Sequence, residues 1–363
     1  MADARPARLA ALAASLEAAR LDGVLLTSLP NIRYLTGFSG SSALAFVTAR
    51  AEVVFVTDFR YKTQVVDEVG EIARVSVEAQ SLWSGLWQLL THYPHVEVAG
   101  FESAELRHRD FARLLEQGER WQWRPTTELV EALRERKDAG EVAAIREAGA
   151  IAVRALERTL GAVRVGMREL EVAGLLEHAL RDGGSEAFPF ETIVASGPRA
   201  ALPHARASAR AIEAGDFLLI DFGAQHAGYC ADVTRTVVVG RATAEQRALY
   251  EIVRGANETA AAGVRAGMRG RDADALARDY IGQRGWGEAF GHSLGHGLGL
   301  EVHEAPRLAR SAEAALPLDA VVTIEPGVYR PGWGGIRIED DVHLAAAGPV
   351  LLTDFTRELL ELA

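Results

Sequence analysis

The chain has 363 residues, 48% hydrophobic and 25% charged, an ordinary globular balance and long enough for two domains with sizeable cores. A net charge of −11 disfavours nucleic acid and anionic membrane surfaces as partners, because both need a basic footprint. Cys230 is the only cysteine, so no disulfide closes within the chain, which fits a reducing, cytoplasmic setting.

From Met1 to Leu26, Leu9, Leu12, Ala13 and Leu16 fall at helical spacing among Arg5, Arg8, Glu17 and Arg20. The stretch reads as a surface helix and not as a signal peptide, since it lacks an uninterrupted apolar segment and a cleavage site. No apolar run of about 18 residues occurs, so no membrane span is expected. Gly23 to Thr27 reads as a buried strand, and Asn31 to Gly40 as a Gly- and Ser-rich loop. Ala43–Thr48 and Glu52–Thr57 are β-branched and aromatic strand candidates. Asp58 is placed to cap a helix over Phe59-Arg60-Tyr61. Ile72–Val77 and Val96–Phe101 are further strands, separated by a helix carrying Trp83, Leu86 and Leu90. Strands alternating with helices predict an α/β domain over residues 1–131. A charged helical stretch, Glu128 to Ala152, then leads into a second domain over residues 132–363, the boundary falling near Glu131 to Lys137.

The second domain carries an internal repeat. Val163-Arg164-Val165-Gly166-Met167-Arg168 matches Val264-Arg265-Ala266-Gly267-Met268-Arg269, and Glu186-Ala187-Phe188 matches Glu288-Ala289-Phe290. Ile220-Asp221-Phe222-Gly223 matches Ile324-Glu325-Pro326-Gly327, and Asp232 matches Glu339. Leu218 to Val239 reads as a β-hairpin with an acid in each strand, Asp221 and Asp232. The repeat predicts a second such hairpin, carrying Glu325 and Glu339. A single acid in a strand is ordinarily a solvated face residue; two acids recurring at matched places in both halves predict one cluster of four. Such a cluster must protonate or bind cations.

Between the two acid pairs lies Gly291-His292-Ser293-Leu294-Gly295-His296-Gly297-Leu298-Gly299-Leu300-Glu301-Val302-His303. His292 and His296 have the i, i+4 spacing of a helical zinc site, but the glycines argue against a helix and no Glu follows His292. An extended or looped segment bringing one or two imidazoles to the acids is expected instead. Mostly oxygen ligands with one nitrogen suit hard or borderline ions such as Mn²⁺. Two ions about 3.5–4 Å apart can share a water and lower its pKa towards about 7, which implies metal-assisted hydrolysis.

From about Lys137 to the end, the chain resembles the pita-bread (M24) metallopeptidase family, which holds methionine aminopeptidase, aminopeptidase P and prolidase. The resemblance implies an α+β protein, an N-terminal creatinase-like α/β domain followed by a pseudo-twofold pita-bread catalytic domain. The family's five ligands, Asp, Asp, His, Glu and Glu in chain order, fall on Asp221, Asp232, His296, Glu325 and Glu339. By resemblance, Asp232 and Glu339 bridge two divalent ions, Mn²⁺ favoured over Zn²⁺ or Co²⁺. Asp221 chelates one ion, His296 and Glu325 complete the other, and Glu325 doubles as general base. The resemblance also makes His204 a substrate-side histidine, His303 the one steadying the scissile carbonyl, and His292 part of a proline pocket. Tyr329 and Arg337 match positions that contact substrate or support those that do.

The first domain points to the Xaa-Pro-cleaving branch, since methionine aminopeptidases resemble the second domain alone. Creatinase lacks the complete ligand set present here. The Asn31 to Ala43 and Thr57 to Tyr61 stretches are similar to the short bacterial aminopeptidase P type. The implied activity is release of the first residue from peptides with proline second. The alternatives are an Xaa-Pro dipeptidase and a non-catalytic peptide-binding member of the fold. The resemblance further implies a homodimer, with Asn31 to Gly40 or Asp58 to Tyr61 bordering the partner's active site.

Overall fold

The computed structural model describes residues 3–363; Met1 and Ala2, included in the predicted first helix and first domain, lie outside the described residues. The chain divides into two compact units, one running to Arg134 and the other from Glu135 to Ala363.

The first unit is built on a six-stranded sheet in the order β4-β3-β2-β1-β5-β6. Its strands are β1 (Gly23–Leu26), β2 (Ala43–Thr48), β3 (Val53–Asp58), β4 (Arg74–Glu78), β5 (Val98–Glu102) and β6 (Gln122–Thr126). β1 pairs antiparallel with β2 and parallel with β5, so its Val24, Leu25 and Leu26 are fully buried. The helices are α1 (Arg5–Ala18), α2 (Leu29–Thr36), α3 (Gln64–Glu68), α4 (Leu82–Leu90), α5 (His108–Gln117) and α6 (Glu131–Arg134). α1 buries the predicted stripe of Leu9, Leu12 and Leu16. Trp83, Leu86 and Leu90 of α4 pack into the core over the sheet, with Phe46, Val54 and Phe101.

Two sequence expectations change here. The stretch read as a loop from Asn31 is largely helix α2, which Pro30 starts and Gly37 ends in a left-handed conformation at φ 83°. Its buried face of Ile32 and Leu35 decides the matter, and Asn31 is itself fully buried. Asn31 Nδ2 donates to Glu102 Oε1 at 2.7 Å and Glu131 Oε1 at 2.6 Å, while Arg134 Nη1 donates to its Oδ1 at 2.7 Å. Asp58 does cap, accepting from Arg60 N, but the element it starts is one turn of 3₁₀ helix.

The second unit opens with α7 (Ala139–Ala162), started by an Asp138/Glu141 capping box, and α8 (Glu169–Asp182). These helices pack their apolar faces on β7 (Ile193–Ser196), β8 (Phe217–His226) and β9 (Tyr229–Val239), burying Leu156, Leu176, Ile220 and Val237. With β17 (Glu361–Leu362) the strands form a sheet in the order β17-β9-β8-β7. A second helix pair, α9 (Ala244–Gly263) and α10 (Gly270–Gly282), shares a core with the other sheet, including Val253, Ala277, Val322 and Leu344. That sheet has the order β11-β10-β12-β15-β16: β10 (Gly295–Gly297), β11 (Glu304–Leu308), β12 (Val321–Ile324), β15 (Asp340–Ala345) and β16 (Gly348–Leu351). β13 (Gly327–Arg330) and β14 (Gly334–Arg337) form a separate ribbon.

The sequence repeat is structural. Arg168 bridges to Ala211 just before α8, and Arg269 bridges to Ala315 just before α10. Gly166 and Gly267 take matching positive φ values of 90° and 83°. The first predicted hairpin, β8–β9, is continuous across ten pairs, from Phe217↔Val238 to His226↔Tyr229. The second is not. Ile324 pairs with Asp340 in one sheet and Gly327 with Arg337 in another, so the ribbon breaks on both sides. Pro326 has no N–H to give a central ladder, and Glu325 and Glu339 sit at the break.

Candidate metal centre and substrate cleft

Asp221 and Asp232 come together because β8 and β9 pair with Asp221 opposite Thr234 and Gly223 opposite Asp232. Opposed residues and residues two apart share a face, so both acids point the same way. His296 is the central residue of β10, threaded between β11 and β12. A Cβ on Gly295 would lie 2.0 Å from Thr323 O, and one on Gly297 would lie 2.1 Å from Ala305 O. Glycine on both sides of His296 therefore lets the backbones approach, while its imidazole projects to the acids.

One ligand atom each from Asp232, His296 and Glu339 lies within 4.8 Å of the other two. His296 Nε2 is 3.3 Å from Glu325 Oε1 and 3.9 Å from Asp232 Oδ2. Its Nδ1 lies 3.0 Å from Gly297 O; a carbonyl only accepts, so Nδ1 carries the proton and Nε2 presents its lone pair to the acids. Two threonines orient carboxylates: Thr234 Oγ1 donates to Glu339 Oε2 at 2.5 Å, and Thr323 Oγ1 to Glu325 Oε1 at 3.2 Å. Asp341 Oδ2 accepts from Asp232 N at 3.1 Å.

The charges do not balance within the protein. Burial, then Glu339 and Asp221, push the Asp232 carboxyl well above its ordinary range. Burial, then Glu325 and Asp221, do the same to Glu339. Burial pushes Glu325 up to about 8, with Arg337 opposing and Asp221 adding. Burial also holds His296 down to about 4, leaving it neutral. Asp221 Oδ1 and Asp232 Oδ1 are buried, and no donor among the described residues reaches them. Acids forced towards protonation, orphaned oxygens and one unprotonated nitrogen are a donor set that fits divalent cations, which would replace the protons.

The same cleft, of about 580 Å³, is lined by Asp221, Asp232, His296, Glu325 and Glu339 and by His204, His292, His303 and Arg337. Every residue singled out in the sequence is there except Tyr329, which lies behind it. The Tyr329 hydroxyl receives Arg337 Nη1 at 2.7 Å and meets His292 Nε2 at 2.9 Å, so it backs two lining residues. The His303 ring stands edge-on to that of His296, 4.5 Å between centroids.

Sequence reading missed Thr234, Thr323 and Asp341. Each is two residues from a candidate ligand, on the same face of the chain, and that period-two spacing was the available signal. It also missed Phe190, Glu191 and Arg206 in the cleft wall, which come from loops with no periodicity to expose them, and Arg307, which lies on β11 opposite His296.

Residues 143–346 match metallopeptidase family M24, and residues 8–136 match the creatinase/prolidase N-terminal domain. The chain belongs to metallopeptidase family M24. It is 38% identical over 349 residues to an uncharacterized peptidase, YqhT, of Bacillus subtilis, covering 94% of this chain and 96% of that one. Among solved structures it is similar to an Xaa-Pro dipeptidase from Bacillus anthracis, with a TM-score of 0.94 and 38% identity over 99% of this chain and 100% of that one. It is also similar to an X-Pro aminopeptidase from Thermotoga maritima, with a TM-score of 0.89 and 35% identity over 97% and 98%. This M24 chain is thus a metallopeptidase hydrolase with a creatinase-type N-terminal domain and a pita-bread domain. Membership brings divalent metal with it, and the acid and imidazole cluster described above is the group that could hold it. No helix among the described residues is long and apolar enough to cross a membrane.

Proposed function

We propose that this M24 peptidase is an Xaa-Pro aminopeptidase that removes the first residue of peptides with proline second. The observation that carries the reading is the convergence of two orphaned carboxylate oxygens, a neutral imidazole and three further histidines on one cleft. Asp221, Asp232, His296, Glu325 and Glu339 would hold two divalent ions, with Mn²⁺ favoured over Zn²⁺ or Co²⁺ by the oxygen-rich set. When bound, such ions acidify a water and polarise a carbonyl.

The chain's own groups supply the rest. Glu325, whose side chain is 17% exposed, has Oε1 held by Thr323 and accepts the proton of the attacking water. His303 and His204 steady the carbonyl oxygen as charge builds on it. His292, backed by Tyr329, walls the space for the proline ring. An Xaa-Pro bond has no N–H, so recognition must come from such a wall and not from a backbone hydrogen bond.

The second reading is an Xaa-Pro dipeptidase, favoured by likeness to the Bacillus anthracis enzyme. The first is preferred on the likeness of the Asn31 to Ala43 and Thr57 to Tyr61 stretches to the short bacterial aminopeptidase P type; a cleft of about 580 Å³ has room for either substrate. Assaying the Mn²⁺-loaded protein on a dipeptide, a tripeptide and longer peptides with proline second separates them. Turnover confined to the dipeptide would replace the first reading by the second. A homodimer and a cytoplasmic setting complete the proposal; the buried free thiol of Cys230 is compatible with the latter.

A further inference from the structure

We propose that Glu169 is a positioning residue that fixes His204 in the cleft by clamping both ends of the loop that carries it. The proposal rests on reading the cleft as a peptide-hydrolysing site. Glu169 is the first residue of α8, and it is fully buried. Its Oε1 accepts from Ser196 N at 2.7 Å and Ser196 Oγ at 2.8 Å. Its Oε2 accepts from Ser208 N at 3.0 Å, Ser208 Oγ at 2.6 Å and Arg199 Nε at 3.0 Å. Ser196 ends β7, and Ser208 lies four residues beyond His204, so one carboxylate ties the two ends of the segment. Five donors saturate a carboxylate with about four lone-pair sites.

The rest of the segment needs such a clamp. From Leu202 to Ser208 only Ala205 is buried, so apolar packing does little to hold it. Other contacts also restrain the segment, among them the Arg206 Nε–Glu191 Oε2 ion pair at 3.1 Å. Arg199 Nη2 donates to Arg206 O at 2.5 Å, Leu170 N to Ser208 O at 3.1 Å, and Arg337 Nη1 to Pro203 O at 3.3 Å. Burial works against ionisation of Glu169, but the Ser208, Ser196 and Arg199 donors outweigh it and its carboxyl lies below the ordinary value. Hydrogen bonds to an ionised acceptor are roughly twice as strong as neutral ones, which suits a clamp on an exposed loop.

The other half of the repeat has a similar device. Asp274 of α10 accepts from Leu294 N at 3.0 Å and pairs with Arg278, whose Nη2 donates to His292 O at 2.7 Å. In each half, a buried helix carboxylate with an arginine holds a loop bearing a cleft histidine.

The test uses the full chain loaded with Mn²⁺ and an Xaa-Pro peptide. Glu169→Gln turns amide donors towards Ser208 or Ser196 and should lower kcat/KM about 10- to 100-fold, the scale of a small misplacement. In a His204→Ala background the same change should alter kcat/KM by less than about twofold, because the residues act as one unit. An undiminished effect in that background overturns the proposal. A second readout is independent of turnover: imidazole NMR of histidine-labelled protein loaded with diamagnetic Zn²⁺, since paramagnetic Mn²⁺ would broaden a histidine of the same cleft. The His204 resonance should shift or broaden in Glu169→Gln and Ser208→Ala, and return in Ser208→Thr, which keeps the hydroxyl. An unchanged His204 signal in both disruptive variants overturns the clamp whatever the activity. If Glu169→Gln does not fold, the two Ser208 variants carry both arms. If the wild type cleaves no Xaa-Pro peptide, the proposed function fails, and the NMR arm alone decides the clamp.

Discussion

Arg337 and Asp221 meet at the cleft wall, Nη2 to Oδ2 at 2.5 Å, with both side chains nearly buried. The same guanidinium reaches Thr234, Tyr329 and Pro203 O, which sets a buried cation beside Asp221, Glu325 and Glu339. Burial would lower its pKa, but Tyr329, Asp221, Glu339 and Glu325 together raise it well above the ordinary value.

Removing that cation leaves Asp221 buried without a counter-charge. Arg337→Met should cost about 3–5 kcal/mol in the metal-free protein, the usual penalty for halving a buried pair. Urea unfolding measures it, and Mn²⁺ should restore part of the loss by supplying positive charge. Arg337→Lys should not rescue, because one ammonium cannot repeat the fork geometry. Wild-type stability in Arg337→Met would show that the pair is not what holds this wall.

Asp232→Ala and Glu339→Ala should each abolish turnover of Xaa-Pro peptides while leaving the circular dichroism spectrum intact. Calorimetric titration with Mn²⁺ should show fewer than the two ions expected for wild type. Activity retained in either variant would falsify the two-ion reading.

Metal-free protein should lose stability as pH rises. Glu325 has a folded pKa near 8 against an ordinary 4.5, so the folded state holds the extra proton between those values. The sign follows from linkage: the contribution is complete below about 4.5 and gone above about 8. Asp232 and Glu339, also raised, act in the same direction. Calorimetry in a chelating buffer should therefore give a Tm that falls from pH 5 to pH 8. Added Mn²⁺ should reverse the trend, because a cation binds the ionised carboxylates. A metal-free Tm that climbs steadily over this range would contradict the charge distribution in the cleft.

Cys230 should resist thiol reagents. It is 2% exposed, and burial pushes its thiol up to about 12, so little nucleophilic thiolate exists at neutral pH. Its reaction with a chromogenic disulfide should track unfolding in urea. Rapid labelling of the native protein would place the thiol nearer the surface than its neighbours Gln225 and Leu300 imply.

Residue spacing alone determined that acids recur at matched positions in two halves, because an internal repeat is visible wherever both copies keep their motifs. The flanking glycines likewise argued against a helix at His296, leaving an extended or looped segment, and the pairing of β10 between β11 and β12 made it extended. What spacing could not express is how the second copy uses its acids. Asp221 and Asp232 lie within a continuous ladder, whereas Glu325 and Glu339 sit where Pro326 splits the ribbon between two sheets. Nor could it show that Asn31, in a stretch that looks like a polar loop, is a buried junction for Glu102, Glu131 and Arg134. Those outcomes depend on partners far along the chain, 103 residues between Asn31 and Arg134 and 105 between Thr234 and Glu339, and only the packed tertiary structure brings such groups within hydrogen-bonding distance.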